Sequence, residues 1–241
     1  MNKKFELIKN DYISLVGHTL YRIKALIDFD DVSSGDLGGY IEKEENLSQE
    51  GNAWVYDNAW VYGDAKICKD AKVRDNAHIY DNATIYDNAC VYDSASVYDD
   101  AWVYGDAKVH GNAQVYGNAS VFNNATICGE ACVRSCVYDN AKVHGDAHVF
   151  GEVKICGDAV VAEKDDYIVF KNSWSSGRYF TYTKSNKMWL VGCFYGTGEE
   201  LVKKAYADSE NSGKNYELYV NLVKEMERME NETDWCNRKV I

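Results

Sequence analysis

Histidine is the side chain most often used as a general base near neutral pH, and four histidines lie in the central part of the sequence. His110 and His144 each follow a valine, whereas His78 and His148 each precede an aliphatic residue. A histidine base needs a partner that orients its ring, and no carboxylate in the sequence is dedicated to one of these histidines. We therefore interpret all four as outward-facing residues, and the sequence indicates no catalytic residue.

The eight cysteines are the second group with possible chemistry, and Cys128, Cys132 and Cys136 recur every four residues. Zinc sites usually pair cysteines in a C-x-x-C spacing, which is absent here. Cysteines outside such pairs behave as small, reduced hydrophobic side chains in a reducing compartment. The sequence therefore predicts neither a metal site nor a bound cofactor.

All 15 carboxylates between Gly51 and Ala162 stand in the two positions ahead of a small, usually alanine, residue. Aspartate is common in turns because its side chain bonds to nearby backbone groups. Two further interpretations stay open beside this one. The carboxylates could bind divalent cations, or they could form an acidic surface that competes with nucleic acid for a partner.

These residues belong to a six-residue repeat, which sets the elements that carry them. The chain divides into 14 consecutive hexads from Gly51 to Arg134 and four more from Asp139 to Ala162. Each hexad has two turn residues, an alanine, a variable residue, valine or isoleucine, and usually an aromatic residue. A period of six fits neither an amphipathic helix nor an ordinary strand meander, so it predicts short strands joined by tight corners.

The corners explain the recurring glycine, asparagine and aspartate. A chain that turns by about 120° every six residues needs a positive φ at each corner, which these residues tolerate best. Three hexads then form one 18-residue coil, and coils stack at about the 4.8 Å spacing of paired strands. Eighteen hexads predict about six coils, with alanine at the corners and the aliphatic residues inside.

The pattern resembles the hexapeptide-repeat superfamily, and the resemblance covers residues 51–162. It implies a mainly β protein whose centre is a left-handed parallel β-helix. The whole chain, from "GHTLYRIKALIDFDDVSSGDLGGY" onward, is similar to uncharacterised hexapeptide-repeat proteins of bacteria and their phages. That similarity implies a phage setting but no reaction.

The repeat is interrupted once. After Val133 the next strand aliphatic is Val137, four residues later instead of six, so "RSCVYDN" has lost two corner residues. Two interpretations stay open: a tolerated deletion that narrows one coil, and an irregularity at a contact site.

The flanking segments lack the repeat. Residues 1–50 predict an N-terminal cap, with a β-hairpin whose two-residue turn is Gly17 and His18, glycine first. Residues 163–241 predict a small C-terminal α+β domain, a β-hairpin plus two helices. Its first helix begins at Thr197, with Glu200 completing a capping box, and its second follows Ser212 and Gly213. Its three strands lie in "YIVFKNSW" and "RYFTYTKSNKMWLVGCFYG". Its core candidates are Trp174, Trp189, Phe194, Tyr206 and Tyr219.

The formal charge of −12 and the pI near 4.9 give a surface field that repels phosphate backbones, which disfavours direct nucleic-acid binding. No apolar run approaches the roughly 18 residues of a membrane span, and "MNKKFELIKNDY" lacks the apolar core of a signal peptide. The sequence therefore predicts a cytoplasmic protein that does not associate with membranes.

Folding the hexads onto three faces places aromatic residues in columns. One column contains Tyr80, Tyr98 and Tyr116, with Asp81, Asp99 and Asp100 at the adjoining corner. Such columns support a thin rod by stacking, and tyrosine is also enriched in protein interfaces. We predict these six residues to bind a partner, and we expect one aromatic face to be buried in a homo-oligomer, a dimer or trimer.

The leading functional hypothesis is a non-enzymatic binding protein, a phage-encoded inhibitor of a host defence effector that acts through the acidic, tyrosine-rich β-helix and has a host protein as its partner. The alternative follows from the resemblance. Many hexapeptide-repeat proteins are trimeric acyltransferases that use coenzyme A, although no protruding loop interrupts the hexads here. A third class is a structural polymer or a protein that traps a small nucleotide.

Overall fold

The computed structural model describes residues 3–238, with side chains described up to Glu232. The chain forms two compact units, Met1–Asp166 and Tyr167–Ile241. None of the described helices is both long and apolar enough to cross a membrane. The fold is mainly β, with a parallel β-solenoid in the first unit and an antiparallel sheet and two helices in the second.

The solenoid is built from two-residue strands that run in parallel sheets along three faces, one strand for each hexad and one for the shortened repeat between them. The first face contains β5 (Trp60–Val61), β8 (His78–Ile79), β11 (Ser96–Val97), β14 (Gln114–Val115), β17 (Cys132–Val133) and β20 (His148–Val149). The second contains β6 (Lys66–Ile67), β9 (Thr84–Ile85), β12 (Trp102–Val103), β15 (Ser120–Val121), β18 (Cys136–Val137) and β21 (Lys154–Ile155). The third contains β4 (Trp54–Val55), β7 (Lys72–Val73), β10 (Cys90–Val91), β13 (Lys108–Val109), β16 (Thr126–Ile127), β19 (Lys142–Val143) and β22 (Val160–Val161).

The interior of the solenoid is filled as the repeat predicts. Each strand aliphatic pairs in register with the aliphatic of the next coil, as Val91 does with Val73 and Val109. These side chains and the corner alanines have no exposed surface. Because every coil repeats the same residue types, register is fixed by burial, since a one-residue shift would turn each aliphatic outward.

The corners adopt the predicted backbone conformation. The first corner residue has a positive φ whether it is glycine, as at Gly117 (64°), or aspartate, as at Asp81 and Asp99 (both 57°). A side chain at Gly105 would meet the backbone of Asn123 in the next coil at 2.9 Å, so stacking as well as φ favours glycine there.

The N-terminal segment forms a hairpin of β1 (Phe5–Leu15) and β2 (His18–Ala25) that continues into β3 (Leu37–Ile41). The prediction that glycine comes first in the turn is wrong. Leu15 pairs with His18, so the turn residues are Val16 and Gly17, and the glycine is second with φ 84°. A positive φ at the second central residue is the requirement of a type II turn, which glycine meets.

The first coil lies ahead of the regular hexads. Strand β3 pairs in parallel with β5, and Leu47 bridges to Ile67, so Ile41, Leu47 and Val55 provide the first interior layer. The sheet that contains β4 has seven strands. The sheet that contains β3 also has seven parallel strands, in addition to β1 and β2 of the hairpin. The solenoid therefore has about seven coils, compared with the six counted from the hexads, and the hairpin continues one of its sheets.

The four-residue spacing after Val133 still gives a strand, β18. Ser135 takes the alanine position of the shortened corner, where its hydroxyl donates to the carbonyl of Gly151 at 2.8 Å. One coil later, Val153 replaces alanine and is 4% exposed. These are the two departures from alanine among the corner positions of β4–β22, so the interior adapts where the corner is short.

The second unit has four strands where the sequence predicts three: β23 (Tyr167–Lys171), β24 (Tyr179–Thr183), β25 (Met188–Val191) and β26 (Phe194–Gly196). The extra strand arises because Gly192, with φ 60°, allows a two-residue turn inside the segment taken as one strand. Helix α1 (Gly198–Asp208) has the predicted capping box between Thr197 and Glu200.

Helix α2 (Glu210–Arg238) begins before the predicted break and includes Ser212 and Gly213. Gly213 lies inside the helix next to the Tyr206 ring. A Cβ atom at this position would meet that ring at 2.2 Å, so the packing requires glycine here. The core prediction holds for buried Trp189 and for Trp174, Phe194 and Tyr219, which pack against the same cluster. It is wrong for Tyr206, which is 41% exposed.

Candidate functional site

Four tyrosines on the first face form a continuous stack that we call the tyrosine ladder: Tyr62, Tyr80, Tyr98 and Tyr116. Successive ring centroids are 5.1, 4.9 and 5.0 Å apart, and the ring planes differ by 6° or less. The stacking follows from the register, because each tyrosine comes directly after an aliphatic residue that pairs with its equivalent one coil away. The predicted site residues Tyr80, Tyr98 and Tyr116 are therefore brought together.

The ring faces of the ladder are covered along its length. His18 packs against Tyr62 at 5.0 Å between ring centroids, and the guanidinium of Arg134 lies 5.9 Å from the Tyr116 ring centroid. The hydroxyl of Tyr98 donates to the Gln114 side-chain oxygen at 3.2 Å. The ladder residues are half-buried, so ring edges and hydroxyl groups form the surface that a partner would contact.

Partial burial favours the neutral phenol in this ladder. It raises the pKa of Tyr62 and Tyr80 above the ordinary value, and for Tyr80 the neighbouring tyrosines and aspartates act in the same direction. The pKa of Tyr98 is raised for the same reasons. The hydroxyls of Tyr62, Tyr80 and Tyr98 are therefore protonated at neutral pH and can both donate and accept hydrogen bonds.

An acidic groove of about 560 Å³ runs along the corner that follows the ladder, and Asp81, Asp99 and Asp100 line it. The Asp99 carboxylate accepts from the Gly117 amide at 2.9 Å, and the Asp100 carboxylate accepts from the Asn82 side chain at 2.9 Å. No hydrogen bond or ion pair joins the Asp81 carboxylate to the described residues. The three predicted carboxylates thus line one groove without an ion pair to the described residues, and Arg134 lies at its end, next to Gly117.

A fourth carboxylate of the groove was missed from the sequence. Asp64 also lines it, but its carboxylate lies 2.6 Å from the Lys43 ammonium, which lowers the pKa of Asp64. Lys43 lies outside the hexads, so their pattern gave no signal of this pairing. The unneutralised acid is therefore concentrated at Asp81, Asp99 and Asp100.

The outward residues beside the ladder add no positive charge. Between Trp60 and Tyr116 the second outward column of this face contains Trp60, His78, Ser96 and Gln114. Trp60 and His78 stack at 4.5 Å, and burial lowers the pKa of His78, which favours its neutral form. The equivalent columns on the other two faces do contain lysine: Lys66 on the second face, and Lys72 and Lys108 on the third.

The shortened corner lies at the end of this same groove. A recess of about 450 Å³ opens there, lined by Asn118, Arg134, Phe150 and Lys154 among others, and Asn118 lines the acidic groove as well. Phe150 is 41% exposed and meets Tyr116 edge to face at 6.3 Å. The aromatic and acidic surface therefore ends at a recess that carries two basic residues.

A second ladder on the second face provides an internal comparison. It consists of Tyr86, Tyr104, Phe122 and Tyr138, with successive centroids 4.9 Å apart. Lys69 lies 5.5 Å from the Tyr86 ring centroid and 2.6 Å from Asp87, so basic charge reaches this ladder. A basic side chain therefore lies at one end of each ladder, Lys69 at Tyr86 and Arg134 at Tyr116, and only the first ladder adjoins the acidic groove.

His110 has a carboxylate neighbour, contrary to the prediction that none of the four central histidines would. The His110 Nδ1 atom lies 3.6 Å from an Asp93 carboxylate oxygen, and its ring stacks on Tyr92 at 4.6 Å. These residues are 17 positions apart, one fewer than the 18 residues of a coil. Sequence reasoning missed the pair because it did not compare side chains one coil apart at neighbouring positions. In the described residues no group of three histidine, cysteine or acidic side chains is arranged to hold a metal ion.

The fold and the repeat together define a parallel β-solenoid of the hexapeptide-repeat type. Residues 77–93 and 113–129, which contain β8–β10 and β14–β16, match the family described as YdcK beta solenoid repeat. Over 38 residues the chain is 53% identical to a protein of Escherichia coli (strain K12) named uncharacterized acetyltransferase YdcK. The match covers 16% of this chain and 12% of that protein's length.

Proposed function

We propose that this protein is a non-enzymatic binding protein whose tyrosine ladder and acidic groove dock a basic segment of another protein. The observation that carries the proposal is the adjacency of the two features: stacked tyrosines on a face without lysine or arginine between Trp60 and Tyr116, beside three unneutralised carboxylates. The phage setting and a host defence effector as the partner remain predictions from the sequence.

Charge complementarity indicates the chemistry of the partner. Asp81, Asp99 and Asp100 form a line of negative charge, and like charges spaced by one coil repel each other unless a cation lies between them. A lysine- or arginine-rich segment relieves that repulsion and is steered toward the groove. Nucleic acid is disfavoured by the same field.

The ladder supplies the contact area. Stacking holds each ring in place before binding, so little side-chain entropy is lost on association. Tyrosines that are rigid and half-buried are typical hot spots, because they combine apolar area with a hydroxyl that can bond to the partner. Tyr98 lies between Tyr80 and Tyr116, next to Asp99, and is the centre of the surface.

The test compares two alanine substitutions at equivalent places in the two ladders. Tyr98 and Tyr104 each stack between two aromatic rings, but only Tyr98 adjoins the acidic groove. Immobilised wild-type protein, Tyr98→Ala and Tyr104→Ala are incubated with E. coli lysate, and the retained proteins are identified. We expect a basic protein retained by the wild type and by Tyr104→Ala and lost from Tyr98→Ala.

If both variants fail to retain the basic protein, the loss reflects a general effect of disrupting a ladder. If only Tyr104→Ala fails to retain it, the binding surface lies on the second face. Either result contradicts the proposal. Circular dichroism of both variants shows whether the solenoid is intact.

A coenzyme A-dependent acyltransferase is the second candidate, and the contact between His110 and Asp93 favours it. A carboxylate near Nδ1 can orient the ring of a general base. The name of the E. coli relative points in the same direction for that protein. Against it, four residues or fewer separate successive strands from β4 to β22, so no loop leaves the solenoid to enclose an acyl donor.

Thermal unfolding with coenzyme A separates the two candidates. A ligand at 100 times its dissociation constant stabilises the folded state by about 2.7 kcal/mol. Binding through Tyr98 predicts no such stabilisation and no effect of His110→Ala. A clear rise in Tm with coenzyme A that His110→Ala abolishes would support the acyltransferase.

A further inference from the structure

The second unit contains a pocket of about 420 Å³ between strand β25, the start of helix α1 and helix α2. Its walls are largely apolar and include Val220, Val223 and the rings of Tyr182 and Trp189. A concave, mostly apolar pocket with a few polar groups directed into it is the usual form of a small-molecule site. This pocket is separate from the solenoid surface described above.

Trp189 brings an unused hydrogen-bond donor to this pocket. The residue is 2% exposed and lines the pocket, and no hydrogen bond joins its indole N–H to the described residues. The nitrogen is not among the fully buried atoms without a partner, so it is accessible from the pocket. The ring packs against Tyr182 at 5.0 Å and Phe180 at 6.1 Å, so its orientation is fixed by the core. An indole N–H can only donate, so a ligand that displaces water from this pocket loses affinity unless it supplies an acceptor.

The N-terminus of α1 lies beside that indole. A Cβ atom placed on Gly198 would be 3.2 Å from Trp189 Nε1 and 2.7 Å from Val220, so glycine keeps the space in front of the N–H open. The Glu200 amide donates to the Thr197 hydroxyl oxygen. The amides of Gly198 and Glu199 lie in the first turn of the helix, where no carbonyl group of the helix can accept from them. The indole N–H and these two residues thus lie at the same end of the pocket, where the helix dipole favours negative charge.

Among the charged side chains that line the pocket, Lys224 is available to bind an anion. The Glu227 carboxylate accepts from the Tyr182 hydroxyl at 2.5 Å and lies 3.7 Å from the Lys187 ammonium, so it is already engaged. Glu199 is exposed. Lys224 lines the pocket without an ion pair to the described residues.

We infer that this pocket binds a small monocarboxylate with an apolar body, whose carboxylate accepts from the Trp189 indole and the α1 amides while its hydrocarbon part contacts Val220 and Val223. The apolar walls disfavour a multiply charged phosphate, and the indole N–H favours a ligand that brings an acceptor to it. Lys224 adds a charge at the rim.

The experiment uses the full chain labelled with 15N at its six tryptophans, with sodium hexanoate as the probe and hexan-1-ol as the neutral control. We expect hexanoate to shift the Trp189 indole resonance with a dissociation constant on the order of 0.1–1 mM, and hexan-1-ol to bind at least about tenfold more weakly. Gly198→Ala should abolish the shift by filling the space before the indole.

Lys224→Gln should weaken hexanoate binding by about threefold, whereas Lys214→Gln, on the same helix but paired with Glu210, should not change it. An unmoved Trp189 resonance at saturating hexanoate would overturn the inference. Equal affinity for hexan-1-ol would overturn it too, because the pocket would then be an apolar site without carboxylate recognition.

Discussion

Asp81 and Asp99 meet a backbone requirement of the corner, and their carboxylates also line the surface groove. Asp81 and Asp99 adopt a positive φ, but Gly63 and Gly117 hold the same place in the same column of corners. Glycine would meet the conformational need at lower cost, because it has no Cβ atom. The backbone conformation at Asp81 and Asp99 therefore does not require a carboxylate. The Asp99 carboxylate also bonds the Gly117 amide of the next coil, whereas the Asp81 carboxylate has no such bond to the described residues, which supports a role for its charge.

Asp100→Asn tests this charge with little change in structure. Asparagine can still accept from Asn82, so the corner stays bonded. We expect association with a basic partner to slow by roughly threefold at low ionic strength and to depend less on salt, as is typical of steered encounters. Stopped-flow measurements over a range of salt concentrations give both quantities.

Asp106→Asn is the matched control. Asp106 is an exposed corner residue that accepts from Asn88 at 3.0 Å, as Asp100 accepts from Asn82, but it lies at the corner after the second face. Its substitution should leave the association rate and the salt dependence near wild-type values. An equal effect of both substitutions would indicate that only net charge matters and that the groove is not the docking surface.

At the scale of elements, the period of six was enough to predict the strands, the corners and the interior residues. The reason is physical: identical residue types on every coil allow one register, in which each valine or isoleucine is buried and each tyrosine stacks. The ladder and its adjoining carboxylates followed directly from that arrangement.

Features outside the repeat were predicted less well. Strand β26 was missed because a two-residue turn at Gly192 and Cys193 interrupts a continuous apolar segment. The start of α2 was misplaced because Gly213, a helix breaker by propensity, is helical where the Tyr206 ring packs on it. Contacts between coils, such as His110 with Asp93, depend on side-chain directions that a repeat pattern does not specify.

Val103→Asp tests the interior. Val103 has no exposed surface, and it pairs with Ile85 and Val121. An unpaired buried carboxylate costs about 3–5 kcal/mol, enough to unfold much of the solenoid. Urea denaturation followed by circular dichroism should show this loss.

Trp102→Asp, one residue earlier and 47% exposed, is the control because its side chain lies outside the solenoid. It should lower the free energy of unfolding by far less. If both substitutions had the same small effect, the assignment of the interior face would be wrong.

At the scale of the whole molecule, tyrosines that are protonated in the folded state make the stability of the fold depend on pH in the alkaline range. Burial raises the pKa of many tyrosine hydroxyls, among them Tyr62, Tyr80, Tyr98, Tyr104 and Tyr138. A raised pKa in the folded state stabilises the fold fully below the unfolded value of 10, and this contribution is lost as pH rises through the folded pKa.

The free energy of unfolding should therefore fall as pH rises above about 10. Tyr80→Phe removes one titrating hydroxyl and keeps the stacked ring, so its stability should fall less than that of the wild type between pH 9 and pH 11. Urea denaturation at both pH values measures the difference. A fall as steep as in the wild type would show that Tyr80 does not contribute to the alkaline loss of stability.

The account of the whole molecule depends on one face of the solenoid being the docking surface. Hydroxyl-radical footprinting of the wild-type protein, free and bound to a captured partner, tests this directly because each tyrosine is measured in the same sample. We predict that oxidation of Tyr80, Tyr98 and Tyr116 falls several-fold on binding, while oxidation of Tyr86, Tyr104 and Tyr138 is unchanged. Protection of the second ladder with no protection of the first would contradict the account.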